Sequence, residues 1–253
     1  MKSLRVVVTG GNGVLGRAIA LVRPQWATLS RAQLDVRNAA QVLSVLRDLH
    51  PDVVVHAAAL TDHQHPDAAE VIATNVIGTQ NVADVCNRLN IPLVYTSTHY
   101  VYEGVTGNYD ENAIPRPIGA YAMSKLAGER AVASTLPYAH LIVRGSWYTR
   151  ETRLDRWAKR GALINAYCSR ESAAQAARKL IALVEAGVRG AVNIGGPRRS
   201  FSAILLDEGY SGFQQISRAM LDFDRRYPPP PYLFPIDVSV STAKFDALRL
   251  TLP

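Results

Sequence analysis

Cysteine is scarce in this chain. Two residues, Cys86 and Cys168, are spread over 253 positions and make no metal-ligand spacing, which fits a reducing compartment. Long apolar runs are missing too. No stretch reaches membrane-spanning length, and the opening "MKSLRVVVTGG" has too short an apolar run for a signal peptide, so a cytoplasmic protein is expected. Clustered Lys/Arg tracts with interleaved aromatics are likewise absent; the Arg pairs at 198–199 and 225–226 are the densest. The net charge of +7 and pI near 9.6 therefore point to small anionic ligands such as phosphates, with nucleic acid as the lesser alternative. No internal repeat is evident.

What is present is a regular alternation. Hydrophobic residues make up 48% of the chain, enough for a substantial core. β-Branched or apolar runs at 4–10, 26–30, 52–59, 92–98 and 139–145 read as strands. Helical spacing occupies 14–23, 38–50, 68–90 and 121–135. Asn38 is placed as an N-cap, with Val42, Leu43, Leu46 and Leu49 facing inward. Such alternation predicts a doubly wound parallel sheet with helices on both faces. After residue 146 the pattern weakens to a helix at 172–187 and a strand at 190–196, and Pro228–Pro231 reads as loop. The expected division is a main domain over 1–146 and a smaller lobe over 147–253, with segments returning to the main domain.

The first strand runs into "TGGNGVLG" at 9–16. Gly10, Gly13 and Gly16, with Asn12, Val14 and Leu15 between them, stand where a strand turns into a helix. Glycine permits the tight turn, the close approach of backbone to a pyrophosphate, and close helix–strand packing. The helix N-terminus adds free N–H groups and a positive dipole end. Placed at the start of a strand–helix–strand unit, the motif reads as a dinucleotide site. The next strand ends "LSRAQLDV". Ser30 and Arg31 stand where an NAD site usually carries an acid, with Asp35 and Val36 falling on the adenine side. Arginine offers a planar fork to a 2′-phosphate, so NADPH is expected ahead of NADH.

"TGGNGVLG", "LSRAQLDV", "DVVVHAAALTD", "TNVIGTQNVA", "VYTSTHYVYEG", "YAMSKLAGE" and "LIVRGSW" follow one another from residue 6 to 147. In this order they resemble the extended short-chain dehydrogenase/reductases, and within them the dTDP-4-dehydrorhamnose reductase branch. The resemblance implies a Rossmann-type fold and NADPH-dependent reduction of a keto group on a nucleotide-linked 4-keto-6-deoxy sugar. It implies Tyr121 as the catalytic acid/base and Lys125 as its partner, lowering the phenol's pKa together with the bound cofactor's positive ring. Thr98 would hydrogen-bond the substrate carbonyl. Ala57, Ala58 and Ala59 would wall the ribose and adenine, and Asn75 would brace the site. Thr61, Ser97, Thr98, His99 and Trp147 would stand on the substrate side, Trp147 either lining the sugar pocket or packing in the core. A homodimer through the helices at 68–90 and 121–135 is implied as well.

The chain also departs from the branch. His99 stands where relatives carry Asp, which bears on substrate recognition. His63, His65 and His99 suggest a polar loop rather than a metal site, and no metal is expected. Alternatives within the superfamily are a sugar-nucleotide epimerase, a natural-product ketoreductase, or a non-catalytic NADP-binding regulatory protein resembling the regulatory subunit of methionine adenosyltransferase.

Overall fold

The computed structural model describes residues 4–61, 67–217 and 236–253. Its centre is a six-stranded parallel sheet. Strands β1 (Val6–Thr9), β2 (Ala27–Leu29), β3 (Val53–His56), β4 (Leu93–Thr96), β5 (His140–Arg144) and β10 (Gly190–Asn193) run in the order β10-β5-β4-β3-β1-β2. The runs Val6–Thr9, Val53–His56 and Leu93–Thr96 are buried throughout, as strands covered on both faces must be. The order reverses beside β1, so the crevice above the carboxyl ends of β1 and β3 is the place such sheets hold ligands.

Helices cover both faces. On one, α1 (Val14–Val22) and α7 (Ala173–Glu185) pack Leu15, Ile19, Leu180 and Ile181 against Val6, Val8, Val55 and Val143. On the other, α2 (Ala39–Leu49) and α4 (Gly78–Arg88) set Val42, Leu46, Val82 and Cys86 against Val7, Val54 and Leu93, with Val132 of α5 (Ala120–Thr135). Asn38 does cap α2, accepting from the Gln41 amide at 3.1 Å. Leu49 is 42% exposed rather than inward, because α2 ends there and the chain turns away through a left-handed His50.

The helix expected over 68–90 is continuous in path but not in winding. An α-helical turn, α3 (Ala68–Ile72), passes into a π-helical stretch at Ala73–Ile77 before α4 resumes. Residue periodicity does not report such a bulge, and π-bulges recur at functional sites.

The second half is split. α7 and β10 join the main domain, while short strands and helices form a separate core of Tyr148, Leu154, Leu163, Cys168, Phe201, Ile204, Leu205 and Ile216. Here β6 (Trp147–Tyr148) pairs with β9 (Glu171–Ser172), while β7 (Ala162–Leu163) and β8 (Tyr167–Cys168) pair with β12 (Gln215–Ile216) and β11 (Arg199–Ser200). Helices α6 (Asp155–Arg160) and α8 (Phe201–Asp207) complete the lobe, and α9 (Ala243–Ala247) packs back on β10. His63, His65, Arg225–Arg226 and Pro228–Pro231 lie outside the described residues.

Candidate active site

At the end of β1 the chain turns through Gly10 at a φ of +75°. A Cβ there would stand 2.7 Å from the Ala58 amide nitrogen, so the loop rests directly on the backbone leaving β3. A Cβ on Gly16 would run into the Gly10 carbonyl; only glycine lets α1 settle onto the loop. Asn12 and Gly13 are exposed and Val14 half-buried. No side chain caps α1, and its first turn holds no acid, leaving its N-terminal amides and positive dipole end for an anion. A glycine cradle against a bare helix end fits a dinucleotide pyrophosphate. The side chains of Leu15 and Val36 belong to the two cores, so both can meet a ligand only through backbone.

Ser30 and Arg31 follow β2 at the same edge. The Ser30 amide and hydroxyl donate to Gln33 Oε1 at 2.9 and 2.8 Å. Arg31 is exposed, with Nη1 3.3 Å from Glu70 and Nε 3.7 Å from Asp35. Sequence neighbours gave Arg31 no adjacent acid; the fold brings Glu70 over from α3. Hydrogen bonds from Arg37 hold the Asp35 carboxyl down at about 2, so Asp35 stays ionised and committed to Arg37.

The carboxyl ends of β3 and β4 present the other groups. Ala57, Ala58 and Ala59 are half-buried after β3, and Thr61 is exposed. Ser97 and Thr98 are buried after β4. Thr98 caps a 3₁₀ turn over His99–Val101, accepting from the Tyr100 amide at 3.2 Å. The Tyr121 phenol, on the second residue of α5, is near enough for the Thr98 hydroxyl to act on it. His99 is fully buried, edge-on to Tyr100 at 4.8 Å. Trp147 is half-buried against the core beneath β5 and β10.

Lys125 is 2% exposed, and its Nζ stands 4.1 Å above the Tyr95 ring. Burial pulls its pKa down to about 7, against the opposing pull of Glu129 one turn on. The phenol of Tyr121 is pushed up to about 12 by burial. The charges of Arg170 and Arg153 and the Thr98 hydroxyl pull it the other way. Lys125 was expected to lower this phenol; in the structure its ammonium lies over Tyr95, and desolvation wins. A phenol at about 12 is protonated at neutral pH, the form a proton donor needs.

Beneath these groups runs a buried polar chain that motif reading missed. The Thr79 hydroxyl donates to the Asn75 carbonyl at 2.7 Å, so it accepts from His56 Nε2 at 3.1 Å. That fixes the tautomer: Nδ1 is bare and accepts the Thr9 hydroxyl at 2.7 Å. Burial holds His56 neutral, at about 3. Asn75, on the π-helical stretch, accepts from the Leu60 amide at 2.8 Å, donates to the Leu60 carbonyl at 2.9 Å, and donates to Ser124 at 3.0 Å. Ser124 donates to the Tyr121 carbonyl at 2.7 Å. The π-bulge thus ties the glycine loop's strand and the segment after β3 to the helix bearing Tyr121 and Lys125. The sequence signals were the polar residues Thr9, His56 and Thr79 inside otherwise apolar segments, and Gly128, whose Cβ would collide with the Tyr95 hydroxyl.

A family described as RmlD substrate binding domain matches residues 4–156, more than half of the chain. A dTDP-4-dehydrorhamnose reductase of Mycobacterium tuberculosis is 34% identical over 213 residues, covering 76% of this chain and 69% of that protein. The methionine adenosyltransferase 2 subunit beta of Xenopus laevis is also 34% identical, over 146 residues, covering 51% of this chain and 43% of that one. The crystal structure of a dTDP-4-dehydrorhamnose reductase from Bacillus anthracis in complex with NADP superposes with a TM-score of 0.84 at 23% identity, covering 100% of this chain and 95% of that one. With the glycine loop, the Tyr121–Lys125 helix and the Thr98 edge all inside the matched segment, the chain belongs to the RmlD substrate-binding-domain family, in which the dTDP-4-dehydrorhamnose reductases are found.

Proposed function

We propose that this chain reduces the keto group of a nucleotide-linked 4-keto-6-deoxy sugar with NADPH. The observation that carries the reading is the buried Thr98 at the sheet's carboxyl edge, acting on the Tyr121 phenol, beside a glycine cradle. The M. tuberculosis relative's name and the NADP bound to the B. anthracis protein point the same way.

The residues divide into three groups. Gly10, Asn12 and Gly13, with the amides of Val14, Leu15 and Gly16, would hold the pyrophosphate. Ser30 and Arg31 would meet the 2′-phosphate, Asp35 and Val36 the adenine side, and Ala57–Ala59 the ribose and adenine. Lys125 would hold the nicotinamide ribose, with Asn75 fixing its helix. Thr61, Ser97 and Trp147 stand on the substrate side; His99, fully buried, acts through Thr98 and Tyr100. Bound NADPH supplies the hydride that reaches the carbonyl carbon. Thr98 orients the carbonyl oxygen, and Tyr121 delivers its proton to that oxygen as the alkoxide forms, so ketone, hydride and proton give one alcohol. The test is NADPH oxidation followed at 340 nm with a panel of 4-keto sugar nucleotides. Turnover of at least one supports the reading; NADPH binding with no turnover of any counts against it.

Arg31 sets the cofactor preference in this reading. Arg31→Ala is expected to weaken NADPH binding by about 1.5–3 kcal/mol, the worth of a charge-assisted contact, and to leave NADH unchanged. Titration of both cofactors into both proteins decides it: equal NADPH affinity removes Arg31 from the 2′-phosphate. Glu70→Gln, which frees Arg31 from its 3.3 Å partner, should shift NADPH affinity the other way.

A second reading has its own support in the X. laevis subunit: the chain would bind NADP as part of a larger enzyme, without turnover. The same assay separates the two.

We further propose a cytoplasmic homodimer, with residues 1–146 as the cofactor domain and 147–253 supplying the substrate lobe. Among the described residues no helix is long and apolar enough to cross a membrane. Ile72, Ile77 and Met123 are 52%, 51% and 58% exposed on the helices of 68–88 and 120–135, an apolar face suited to packing against its copy. Light scattering at micromolar concentration should return twice the chain mass of 27.6 kDa; a single-chain mass rejects the dimer.

A further inference from the structure

The Lys125 ammonium rests on a ring. Its Nζ stands 4.1 Å from the centre of Tyr95, and both residues are buried, Tyr95 fully. Tyr95 meets the same lysine a second time, its hydroxyl donating to the Lys125 carbonyl at 3.4 Å. Strand and helix both permit this. Side chains alternate across β4, so Val94 enters the core under α1 and α7 while Tyr95 enters the one under α2, α4 and α5. On α5, Gly128 leaves room for the phenol, with which a Cβ there would collide.

An aliphatic side chain at this position would fill the core but offer the ammonium nothing. A ring adds the negative face of its quadrupole, which favours the charged form where burial disfavours it. The charged and titratable groups around Lys125 do not supply this by themselves. Glu129, on the same helix, favours the charge, but its carboxylate is engaged by Arg144 of β5. On β3, His56 lies 5.8 Å from Tyr95, ring centre to ring centre, and burial, with the Lys125 charge beside it, holds it neutral. Tyr121, one turn earlier on α5, is protonated at neutral pH. Burial brings Lys125 down to about 7, so a contribution of the size a ring face makes decides whether the lysine is charged near neutrality.

We propose that Tyr95 is a positioning residue for the reaction: its ring face is the seat that keeps the Lys125 ammonium charged and in place. The task of Lys125 at the nicotinamide ribose rests on the reductase reading above; the seat itself does not. One strand then serves both parts of the site, with Thr98 beyond the end of β4 and Tyr95 within it.

The test reads the charge of Lys125 directly. The chain holds five lysines; labelled with ¹³C at Cε, each gives an NMR signal that moves as it loses its proton, and the signal missing from Lys125→Arg identifies Lys125. Tyr95→Phe keeps the ring face and should keep the parent's midpoint. Pentafluorophenylalanine in place of Tyr95 keeps the ring's shape but removes its negative face, and should lower the midpoint by about 0.5–1.5 pH units. Trifluorophenylalanine at the same position, a milder change, carries the test should the pentafluoro protein not fold. NADPH affinity is measured across the same pH range. It should fall as pH rises through the Lys125 midpoint, and fall at correspondingly lower pH in the fluorinated proteins. A shifted midpoint with an unmoved NADPH profile keeps the seat and removes Lys125 from the cofactor. A midpoint that is unchanged or raised by fluorination, or lowered as far by Tyr95→Phe, overturns the seat.

Discussion

Replacing Tyr121 with Phe should slow hydride transfer by roughly 10²–10⁴, the range for a positioned general acid, while NADPH still binds with the parent's affinity. The substitution removes one hydroxyl. What it deletes is the proton donor on which the Thr98 hydroxyl acts. The ring stays, and the backbone carbonyl of Tyr121 still accepts from Ser124 at 2.7 Å, so α5 keeps its tie to Asn75. Lys125→Met should act differently, weakening NADPH binding and hydride transfer together. Thr98→Val should spare the cofactor and weaken the carbonyl step. Stopped-flow NADPH oxidation with the reactive ketone gives the ordering. Parent-like rates in the Phe variant would remove Tyr121 from the chemistry.

Arg144→Met should cost about 3–5 kcal/mol of stability, the expected consequence of stranding one member of a buried ion pair. Arg144 ends β5 and lies with Glu129 in the interior, their side chains 8% and 4% exposed. Nε and Nη2 reach the two carboxylate oxygens at 2.8–3.3 Å, and Nη1 donates to the Tyr102 hydroxyl at 3.0 Å. The single Tyr102 proton is shared between the Asp110 carbonyl at 2.8 Å and Asn193 Oδ1 of β10 at 3.1 Å. One guanidinium therefore joins the sheet, the helix of Tyr121 and the loop that covers them. Losing it leaves the Glu129 carboxylate buried without its guanidinium partner. The double variant Arg144→Met with Glu129→Leu removes both charges and should regain much of the loss. Urea denaturation of the parent, single and double variants measures this. A single variant within about 1 kcal/mol of the parent contradicts the account, since that is the worth of an exposed pair.

These expectations mix features that were legible in the sequence with others that were not. The alternating strands and helices were legible because parallel strands buried on both faces are uninterrupted apolar runs, as Val53–Val55 shows. The glycine loop was legible because Gly10 and Gly16 answer local steric demands. Asn38 was recognisable as a cap for the same local reason. Leu49 was misplaced because helical periodicity continues past the point where the chain turns away. The π-bulge that carries Asn75 leaves no trace in residue spacing. Glu70 beside Arg31 is a contact between residues 39 positions apart; no local pattern encodes it. The Thr9–His56–Thr79 chain was visible only as polar residues in apolar runs, and its meaning required knowing that three elements converge.

The central claim is that this chain transfers a hydride rather than only holding NADPH. It is tested most directly by incubating the protein with dTDP-4-dehydrorhamnose and NADPH deuterated at nicotinamide C4, then recording the NMR spectrum of the sugar product. The account predicts one NADPH consumed for each dTDP-linked 6-deoxyhexose formed, with deuterium at its C4. A protein that binds NADPH yet returns the ketone unchanged, with no NADPH consumed, would contradict it and favour the regulatory-subunit reading.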